Sequence, residues 1–329
     1  MKICFLENTE FEYSYKDVHS PKLRGAENIL INISNHLSNM GHDITVYNNC
    51  SNQIHNDNSN WYNINQIEHS KDLIFDFAIS NGDTRLLNKV QAKKTIVFSY
   101  SLQSIEKFIR KKQLFSYFKH KPTYFLIGNY HINNRSKLIS LFGIKILNLA
   151  IDDMFNKAVI PNNKRENNAI FTSRGDRNLQ LLIKIWQTNI FPKFNKCKLF
   201  VTPYSGIEQK NNIFLRNMSS RGELIKDLLK SKILLIPGHK AELFCLAAAE
   251  AQELCIPIVT LGIGSLYERV EHNINGFIAK DNFEFANYTI QLFTDDSLWL
   301  RMHNNMLANR GKKNWVNCTN DLINKMKSI

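Results

Sequence analysis

The chain has 329 residues, enough for two domains that each bury a hydrophobic core of their own. A hydrophobic content of 43% and an aromatic content of 11% indicate a folded globular protein rather than a disordered chain. The formal net charge of +13 requires partners of opposite sign, such as nucleotide phosphates, an anionic membrane face or nucleic acid.

The cysteine pattern excludes two kinds of site. Six cysteines are scattered without a C-x-x-C or a Cys/His cluster, so neither a zinc site nor a disulfide framework is indicated. Reduced thiols in a cytoplasmic protein are therefore expected. No apolar stretch approaches the roughly 20 residues that span a bilayer. The start, MKICFLEN, indicates a strand rather than a signal peptide.

Strands and helices alternate along the first half of the chain. Residues 2–6 form the first predicted strand, and a polar, aromatic loop follows as far as Gly25. Apolar residues at helical spacing then predict a helix that ends at Gly41. The asparagine-rich stretch 48–65 has no period, and we expect a loop there. The remaining predicted strands of this half are 43–47, 73–79, 95–99, 124–128 and 145–147.

A polar stretch at 161–168 is the best candidate for a linker, and a second alternation follows it. Its predicted strands are 169–172, 198–202, 212–215, 233–236 and 256–261, and its predicted helices include 178–190 and 222–229. Helical spacing in WVNCTNDLINKM predicts a last helix within 314–329, which we expect to cross back onto the first domain. The pattern indicates an α/β protein with two Rossmann-like domains, 1–160 and 161–313. Their parallel sheets are expected to face a central cleft that holds the active site.

The most informative segment is KILLIPGHKAELFCLAAAEAQELCIPIVTLGIGSLYERVEHNINGFIA, in which Glu242 and Glu250 are eight residues apart. A strand, a polar loop, an Ala-rich helix from about residue 243 and a second strand predict a right-handed crossover in a parallel sheet. Ligands bind at the carboxyl ends of such strands, where Glu242 is expected. Eight helical residues turn by ~80°, so both carboxylates can face one crevice, with the amides of the helix N-terminus between them for phosphate. This arrangement suits a nucleotide-sugar.

The same segment resembles the donor-binding signature of the retaining glycosyltransferases of family four, which have the two-domain GT-B fold. That signature has Pro-Ser, then Glu-Gly-Phe-Gly, four residues, Glu-Ala, Gly-x-Pro-Val and a Gly-Gly turn. The corresponding residues here are Pro237-Gly238, Glu242-Leu243-Phe244-Cys245, Glu250-Ala251, Ile256-Pro257-Ile258 and Gly264-Ser265. The resemblance implies that the first domain binds the acceptor and the second the donor.

The resemblance also implies roles for individual residues. Glu242 contacts hydroxyls of the transferred sugar and takes part in catalysis, and Glu250 contacts the ribose hydroxyls. The expected donor-binding residues around them are Gly238, Leu243, Phe244, Cys245 and Leu246. Leu243 and Cys245 replace two glycines that allow the backbone to approach a phosphate closely, so a narrower donor pocket or a differently placed sugar is expected. An amphipathic helix with two surface glutamates is the alternative interpretation.

RGAENILINISNHLSNMGHDITVY, at 24–47, resembles the Gly-Gly-x-Glu loop and first long helix of the same family. Gly25 and the amide of Ala26 open this helix and are expected to face the donor phosphates. Arg24 replaces the first glycine of the usual pair and adds charge there. An ordinary amphipathic helix is the alternative.

FTSRGDRNLQLLIKIW, at 171–186, resembles the family's diphosphate-binding turn. Arg174 and Arg177 stand near the positions where family members have Gly-Arg and Lys-Gly. The leaving diphosphate gains negative charge as the sugar bond breaks, and preorganised cations stabilise it, so both arginines are assigned catalytic roles. The alternative is a solvated arginine in the first helical turn, which is unfavourable to the helix dipole, with Asp176 available as the N-cap.

The signals for the acceptor side and for metals are weaker. Many family members have a histidine after the fourth strand of the first domain, where this chain has Ser99 and Tyr100, which are candidates for acceptor contacts. His131 is a third candidate, although a surface histidine is the simpler interpretation. No D-x-D triplet indicates a metal-bridged diphosphate, and Asp152-Asp153 resembles the family's Asn-Gly-Ile-Asp linker, so no metal ligand is assigned. No G-x-G-x-x-G follows the first strand, which disfavours a dinucleotide enzyme.

IEKFIRKKQLFSYFKHK, at 105–121, interleaves apolar and basic side chains. A helix of this kind can lie on an anionic membrane, where each basic side chain contributes about 1 kcal/mol. Family members with lipid-linked acceptors commonly bind membranes through the first domain. A core-facing helix with a solvated basic side is equally compatible with the pattern.

These features predict a cytoplasmic, metal-independent, retaining glycosyltransferase, with peripheral attachment to the inner face of the membrane as a further expectation. The donor is a UDP- or GDP-sugar and the acceptor a glycan or a lipid-linked molecule, with no cofactor and no nucleic-acid partner. The two glutamates bind opposite ends of the donor and are not a glycosidase acid/base pair. The alternative from another class is a catalytically silent basic protein that binds nucleic acid or a membrane surface on the same scaffold.

Overall fold

The structure, a computed structural model, describes the chain except residues 19, 21, 22, 52, 53, 57, 71, 72, 162–164 and 219. The chain divides into two compact units. The first comprises Met1–Ala150 and Trp315–Ile329, and the second comprises Ile151–Asn314. The first unit is therefore discontinuous in sequence.

Both units are built around parallel strands. The strands are β1 (Lys2–Leu6), β2 (Asp43–Asn48), β3 (Ile54–Asn56), β4 (Ser59–Asn63), β5 (Ile74–Asn81), β6 (Gln91–Phe98), β7 (Thr123–Leu126), β8 (Ile144–Ile146), β9 (Glu166–Phe171), β10 (Lys198–Val201), β11 (Ile213–Leu215), β12 (Ser231–Leu235), β13 (Ile258–Thr260) and β14 (Gly276–Ile278). In the first unit the order is β3-β4-β2-β1-β5-β6-β7-β8, and β3 is the antiparallel edge strand. The second sheet has the order β11-β10-β9-β12-β13-β14.

Helices connect many of the successive strands in both units. They are α1 (Gly25–Asn39), α2 (Ile105–Arg110), α3 (Leu114–His120), α4 (Asn129–Asn133), α5 (Asp153–Lys157), α6 (Leu179–Ile185), α7 (Arg221–Lys230), α8 (Leu246–Glu253), α9 (Leu266–Arg269), α10 (Asn282–Thr294), α11 (Asp296–Leu307) and α12 (Trp315–Lys327). A π-helical turn, Trp186–Ile190, continues α6. The last helix, α12, belongs to the first unit, where it packs against α1.

The central strands are buried along almost their whole length. In β12 every residue is buried, and in β1 only the first is exposed. Strands covered on both faces by helices need apolar side chains on both faces, which explains the continuous apolar runs in the sequence. The loops after β9 and β12 leave the carboxyl ends of neighbouring strands, and they carry the candidate site of the second unit. The expected fold class, two α/β domains with parallel sheets, is confirmed.

The Asn-rich stretch 48–65 is not the loop expected from the sequence. It contains β3 and β4, and β4 pairs in parallel with β2 so that Trp61 lies opposite Val46. Trp61 is fully buried. One large buried side chain anchors β4, although the polar residues around it give no clear periodicity.

The segment 105–121 is also not one helix. It forms α2 and α3, with Lys112 in a left-handed conformation between them (φ +53°). The buried Gln113 fixes this break, since its carbonyl oxygen accepts from the Thr84 hydroxyl at 3.0 Å.

Only part of the linker expected at 161–168 lies within the described residues. Residues 162–164 lie outside the described part of the chain, and β9 already begins at Glu166. The two units separate earlier, between Ala150 and Ile151.

Candidate functional site

A glycine turn holds the loop that carries Glu242, which connects β12 to α8. The backbone N–H of Ser265 donates to the Glu242 carbonyl oxygen at 2.9 Å. Gly264 has a φ of +76°, and a Cβ atom there would lie 2.4 Å from the carbonyl oxygen of His239. Only glycine fits this contact without a shift of the backbone. The turn after β13 therefore fixes the main chain around Glu242.

The side chain of Glu242 meets Arg177, which comes from the loop after β9. Arg177 Nε lies 3.2 Å from Glu242 Oε1, and both side chains are mostly buried. The same guanidinium lies 3.0 Å from His239, Nη1 to Nδ1. The backbone N–H of Ala241 also points to this Nδ1 atom, at 3.1 Å. Both of these groups can only donate, so Nδ1 is the acceptor and a ring proton is assigned to Nε2.

Burial and the charge of Arg177 have opposite effects on the pKa of Glu242. Desolvation raises the pKa of the carboxyl, and the charge of Arg177 partly offsets that rise. Cys245 lies beside it, and burial followed by the charge of Glu242 raises the pKa of the thiol. Cys245 has a φ of +56°, a conformation that favours glycine and costs other residues ~1–2 kcal/mol. A mostly buried carboxylate with a paired cation is well suited to accept strong hydrogen bonds from hydroxyl groups.

Arg174 has a different environment from Arg177. Its side chain is 76% exposed, and its Nη2 pairs with Asp176 Oδ2 at 2.9 Å within the same loop. Asp176 is not the N-cap of α6, contrary to the interpretation from the sequence. The N-cap is Asn178, with a φ of +64° and no side-chain cap hydrogen bond. The loop after β9 therefore presents one inward and one outward arginine.

The apolar residues after Glu242 face the interior. Leu243, Phe244 and Cys245 are all buried. The Arg269 guanidinium lies 3.7 Å from the centre of the Phe244 ring, and Arg269 Nε donates to the Phe244 carbonyl oxygen at 2.8 Å. This segment can therefore contact a ligand through its main chain more readily than through its side chains.

The start of α8 differs from the position predicted from the sequence. The helix begins at Leu246 rather than near residue 243, because Cys245 is left-handed. The first amides of a helix have no acceptor within it, and those of α8 directly follow the loop of Glu242. Glu242 is not on the helix, so the ~80° helical rotation does not relate it to Glu250.

Glu250 lies inside α8 and pairs with a different cation. Its Oε1 atom lies 3.7 Å from Nη1 of Arg221, the first residue of α7. Arg221 Nε in turn lies 3.3 Å from Asp152 Oδ2. Burial raises the pKa of Glu250 to about 7, with the charge of Arg221 opposing the rise and that of Asp152 adding to it. The protonation of Glu250 therefore changes near neutral pH.

Three of the residues that make these contacts were not expected from the sequence. His239 lies within the recognised motif, and its only signal was the short distance along the chain to Glu242. Arg221 opens a helix, where a cation opposes the dipole, and this was an available signal. Asp152 was assigned to a linker, and its contact with Arg221 follows only from the fold.

In the first unit, α1 begins at Gly25, with Ala26 in its first turn. Arg24 is the N-cap and makes no side-chain cap hydrogen bond. Its guanidinium instead lies 5.4 Å from the centre of the Phe11 ring. The first-turn amides of α1 thus receive no side-chain cap from Arg24.

The candidate acceptor residues lie after β6 and in α4. Ser99 is buried, and its hydroxyl donates to the Ser101 carbonyl oxygen at 3.1 Å. Burial, followed by the charge of Glu7, raises the pKa of the Tyr100 phenol. His131 is fully buried, so its interpretation as a surface histidine is wrong. Burial lowers the pKa of His131 to about 4, so its ring is neutral at physiological pH.

Glu7 is a buried carboxylate that the sequence analysis did not single out. It directly follows β1, and its Oε1 atom accepts from Asn81 Nδ2 at 2.7 Å. Burial raises the pKa of Glu7 to about 8, and the charge of Glu27 adds to that rise. Acidic residues immediately after a strand of a parallel sheet were the available signal.

Helices α2 and α3 present a surface that is both apolar and basic, which we call the α2–α3 patch. Its exposed residues are Ile105, Ile109, Arg110, Lys111, Lys112, Phe115 and Phe118. Lys107 belongs to it only in part, because its ammonium donates to the Ser101 hydroxyl at 3.1 Å. Burial lowers the pKa of Lys107.

Three properties of the described residues bear on the chemical class. No group of three or more His, Cys, Asp or Glu among them could hold a metal ion. All six cysteines are free thiols in the interior. Within the same described part of the chain, no helix is long and apolar enough to cross a membrane.

Comparisons with known proteins match both the donor segment and the fold. Residues 205–313 match the family described as glycosyl transferases group 1, while no curated protein matches the chain. Sucrose-phosphate synthase from Thermosynechococcus elongatus superposes with a TM-score of 0.70 at 11% identity over 99% of each chain. Anabaena HepE in complex with UDP superposes with a TM-score of 0.68 at 14% identity over 100% of each chain. WaaG, a glycosyltransferase involved in lipopolysaccharide biosynthesis, gives 0.68 at 12% identity over 98% of this chain and 99% of its own.

At these identities the structural likeness shows the fold alone, which is the expected GT-B fold. The family match is independent of it and includes Arg221, Glu242 and Glu250. It agrees with the class of enzyme expected from the sequence, a glycosyltransferase, because residues 205–313 match glycosyl transferases group 1.

Proposed function

We propose that the protein is a retaining glycosyltransferase of family four that transfers a sugar from a nucleoside-diphosphate sugar to a glycan or lipid-linked acceptor. The observation that carries this proposal is the 3.2 Å ion pair between Arg177 and Glu242 beside the N-terminus of α8. Glu242 lies in the segment that matches glycosyl transferases group 1, and Arg177 reaches it from the loop after β9. A carboxylate that can accept from hydroxyl groups, a cation and the first amides of α8 lie close together there. These are the groups that a sugar diphosphate requires.

The two glutamates bind opposite ends of the donor in this proposal. Glu242 accepts hydrogen bonds from hydroxyls of the transferred sugar, and its loop is fixed by the contact with Gly264. Glu250 accepts from the ribose hydroxyls of the nucleotide. Their separate partners, Arg177 and Arg221, support a division of roles rather than a shared acid/base function.

In the proposed reaction, the bond between the sugar C1 and the diphosphate oxygen breaks. The acceptor hydroxyl oxygen bonds to C1 from the same face, and its proton passes to the departing diphosphate oxygen. The products are the glycosylated acceptor and a nucleoside diphosphate. Negative charge grows on the diphosphate during this step, and Arg177 with the amides of α8 stabilises it. Arg174, which is solvated, contributes less because water screens its charge.

The positive charge supplied by protein groups leads us to propose a metal-independent reaction without a resident cofactor. UDP- and GDP-sugars both fit the proposed division of roles. The likeness to Anabaena HepE, which was solved with UDP and with UDP and glucose, favours the uridine nucleotide.

The acceptor is proposed to bind the first unit. Tyr100 is the candidate nearest to the surface, intermediate in exposure as a residue but with a buried hydroxyl, whereas Ser99 and His131 are fully buried and would act through their neighbours. For a lipid-linked acceptor, we propose that the protein works in the cytoplasm, peripherally on the inner face of the membrane. The α2–α3 patch combines apolar and basic side chains and would face that surface.

A panel of donors tests this function. UDP-glucose, UDP-galactose, UDP-N-acetylglucosamine, GDP-mannose and ADP-glucose are each incubated with the protein in EDTA, and release of the nucleoside diphosphate is measured. We expect release from one or two donors, abolished by Glu242→Gln and unaffected by the matched change Glu208→Gln at an exposed carboxylate.

Three outcomes would contradict the proposal. A donor turned over with inversion, seen by NMR of the anomeric proton, contradicts the retaining mechanism. Activity that requires Mg²⁺ contradicts metal independence. If no nucleotide-sugar binds or is hydrolysed, the catalytically silent binding protein becomes the better interpretation.

A further inference from the structure

Arg221 is an unusual residue with which to begin a helix. It occupies the first position of α7, after Ser220, whose hydroxyl oxygen accepts from the Glu223 N–H at 3.2 Å. A cation in a first helical turn opposes the macrodipole. The helix needs no arginine there, since Ser220 already provides the cap. The guanidinium contacts groups outside this helix instead.

Those groups are two buried carboxylates. Arg221 Nε lies 3.3 Å from Asp152 Oδ2, and its Nη1 lies 3.7 Å from Glu250 Oε1. Both carboxylates are more than nine-tenths buried. The three side chains come from α7, from α8 and from the residue before α5, so only the folded second unit brings them together.

Three charged residues change the pKa of Glu250. Arg221 and the more distant Arg216 favour its ionised form, and Asp152 disfavours it. Arg216 is itself engaged by Asp227, Nε to Oδ2 at 3.0 Å. Arg221 is therefore the main cation that offsets the burial of Glu250.

We propose that Arg221 is a positioning residue that, together with Asp152, holds the Glu250 carboxylate ready to accept hydrogen bonds from the ribose of the donor. This inference rests on the proposed function for its ligand. The contact between Arg221 and Glu250 is itself independent of any ligand.

The chemical consequence concerns protonation. An ionised carboxylate can accept hydrogen bonds from two vicinal hydroxyls, whereas a protonated one has lost part of this capacity. Burial already places the pKa of Glu250 at about 7 in the presence of Arg221. Without the arginine the carboxyl is protonated at neutral pH, and nucleotide binding becomes dependent on alkaline pH.

Two measurements test the proposal. The first is titration with UDP and GDP from pH 6 to 9, using the parent, Arg221→Met, Arg221→Lys and Glu250→Gln. The second is the titration midpoint of Glu250 itself, by carbon NMR of protein labelled at the glutamate carboxyl groups, with Glu250→Gln identifying the signal. The second measurement needs no nucleotide.

We expect Arg221→Met to move the midpoint of Glu250 upward by about one unit or more and to weaken nucleotide binding at pH 7 about tenfold, with recovery toward pH 9. Arg221→Lys should restore most of the affinity, because it restores the charge. In Glu250→Gln the affinity should be low and independent of pH, and adding Arg221→Met should weaken it no further.

An unchanged midpoint of Glu250 in Arg221→Met overturns the proposal. A loss of affinity that is equal at every pH also overturns it, since it would mean that Arg221 contacts the nucleotide directly or only supports the fold. If the parent binds neither UDP nor GDP, the proposed function fails, while the carboxyl NMR still decides whether Arg221 controls Glu250.

Discussion

Arg177 Nη1 lies 3.0 Å from His239 Nδ1, although the two residues are 62 positions apart in the sequence. The contact joins the loops after β9 and β12, which are neighbouring strands of the second sheet. The same guanidinium lies 3.2 Å from Glu242. One side chain therefore links the two loops that carry the proposed catalytic groups.

This linkage predicts that replacing Arg177 lowers turnover more than replacing Arg174 does. At saturating donor, Arg177→Ala should lower turnover about 10²-fold or more, because the charge that it stabilises is larger in the transition state than in the ground state. Arg174→Ala should lower turnover less, since that side chain is exposed and paired with Asp176. Steady-state kinetics of product release measure both. Equal losses in the two variants, or no change in turnover for Arg177→Ala, would contradict the assignment.

Replacing Glu250 and replacing Glu242 are expected to have different effects on binding and transfer. Glu250→Ala should weaken nucleotide binding by about 1.5–3 kcal/mol, the usual loss for a charged hydrogen-bond acceptor. Glu242→Ala should leave the affinity for the free nucleotide nearly unchanged but lower transfer and alter sugar preference. Calorimetric titration with UDP or GDP and turnover of several donors provide the comparison.

Glu208→Ala is the control for this pair, because its carboxylate is exposed in the same unit. If both variants bind and turn over donors like this control, neither glutamate has the role proposed for it.

The sequence predicted the buried parallel strands well, because their apolar runs have no other common explanation in a chain of this length. Residues 2–6 coincide with β1, and the motif around Glu242 has the order of elements that the structure shows. The start of α8 was misplaced, since Leu243 and Phe244 have helical character and only the backbone shows that Cys245 ends the loop in a left-handed conformation. The contact of Arg221 with Glu250 was not predictable, as three elements distant in sequence must fold before it exists.

The close approach at Gly264 makes a stability prediction with an internal control. Gly264→Ala places a Cβ atom 2.4 Å from the His239 carbonyl oxygen at a φ of +76°. Gly311→Ala has nearly the same φ, +75°, with nothing within 4 Å of its Cβ. The unfolding free energy should fall by ~1–2 kcal/mol for Gly311→Ala, from backbone strain alone. Gly264→Ala should cost about 3 kcal/mol or more, because a steric clash adds to that strain.

Chemical denaturation of the two alanine variants separates strain from clash. Gly264→Ala should also reduce donor turnover in the folded fraction, because the loop of Glu242 must shift. Equal unfolding free energies for the two variants would show that the contact with His239 relaxes without cost.

The raised pKa of Glu250 predicts a conflict between stability and function. The carboxyl titrates near 4.5 in the unfolded chain and near 7 in the folded protein. Between these values the folded state holds a proton that the unfolded state has released. The resulting stability is fully present below pH 4.5 and is lost as the pH rises through 7. Glu250→Gln cannot ionise, so at pH 8 it should be more stable than the parent by about 2–3 kcal/mol, although it binds nucleotide less well.

Denaturation curves at pH 5, 6, 7 and 8 measure this difference, which should shrink toward pH 5. Glu208→Gln serves as the control, since an ion pair with Lys210 lowers the pKa of that exposed carboxyl. A Glu250→Gln variant that is less stable than the parent at pH 8 would mean that the charge of Glu250 stabilises the fold.

The α2–α3 patch predicts binding to anionic vesicles through both apolar contact and charge. Ile109 and Phe115 are exposed by 55% and 77%, beside the basic residues Arg110, Lys111 and Lys112. Changing these three basic residues to Gln should weaken sedimentation with phosphatidylserine vesicles at low salt, because each contributes about 1 kcal/mol near the surface. Lys107 is better left intact, since its ammonium donates to Ser101.

The apolar half of the patch is tested by changing Ile109 and Phe115 to Ser, with Val316→Ser as the matched control at an exposed apolar residue of α12. The double variant should lose binding at both low and high salt, whereas the charge variant should differ from the parent mainly at low salt, because screening shortens surface attraction to ~8–10 Å at physiological ionic strength. Nucleotide binding should be unchanged in both, since none of the substituted residues is assigned to the donor site. If both variants sediment like the parent, the membrane proposal fails.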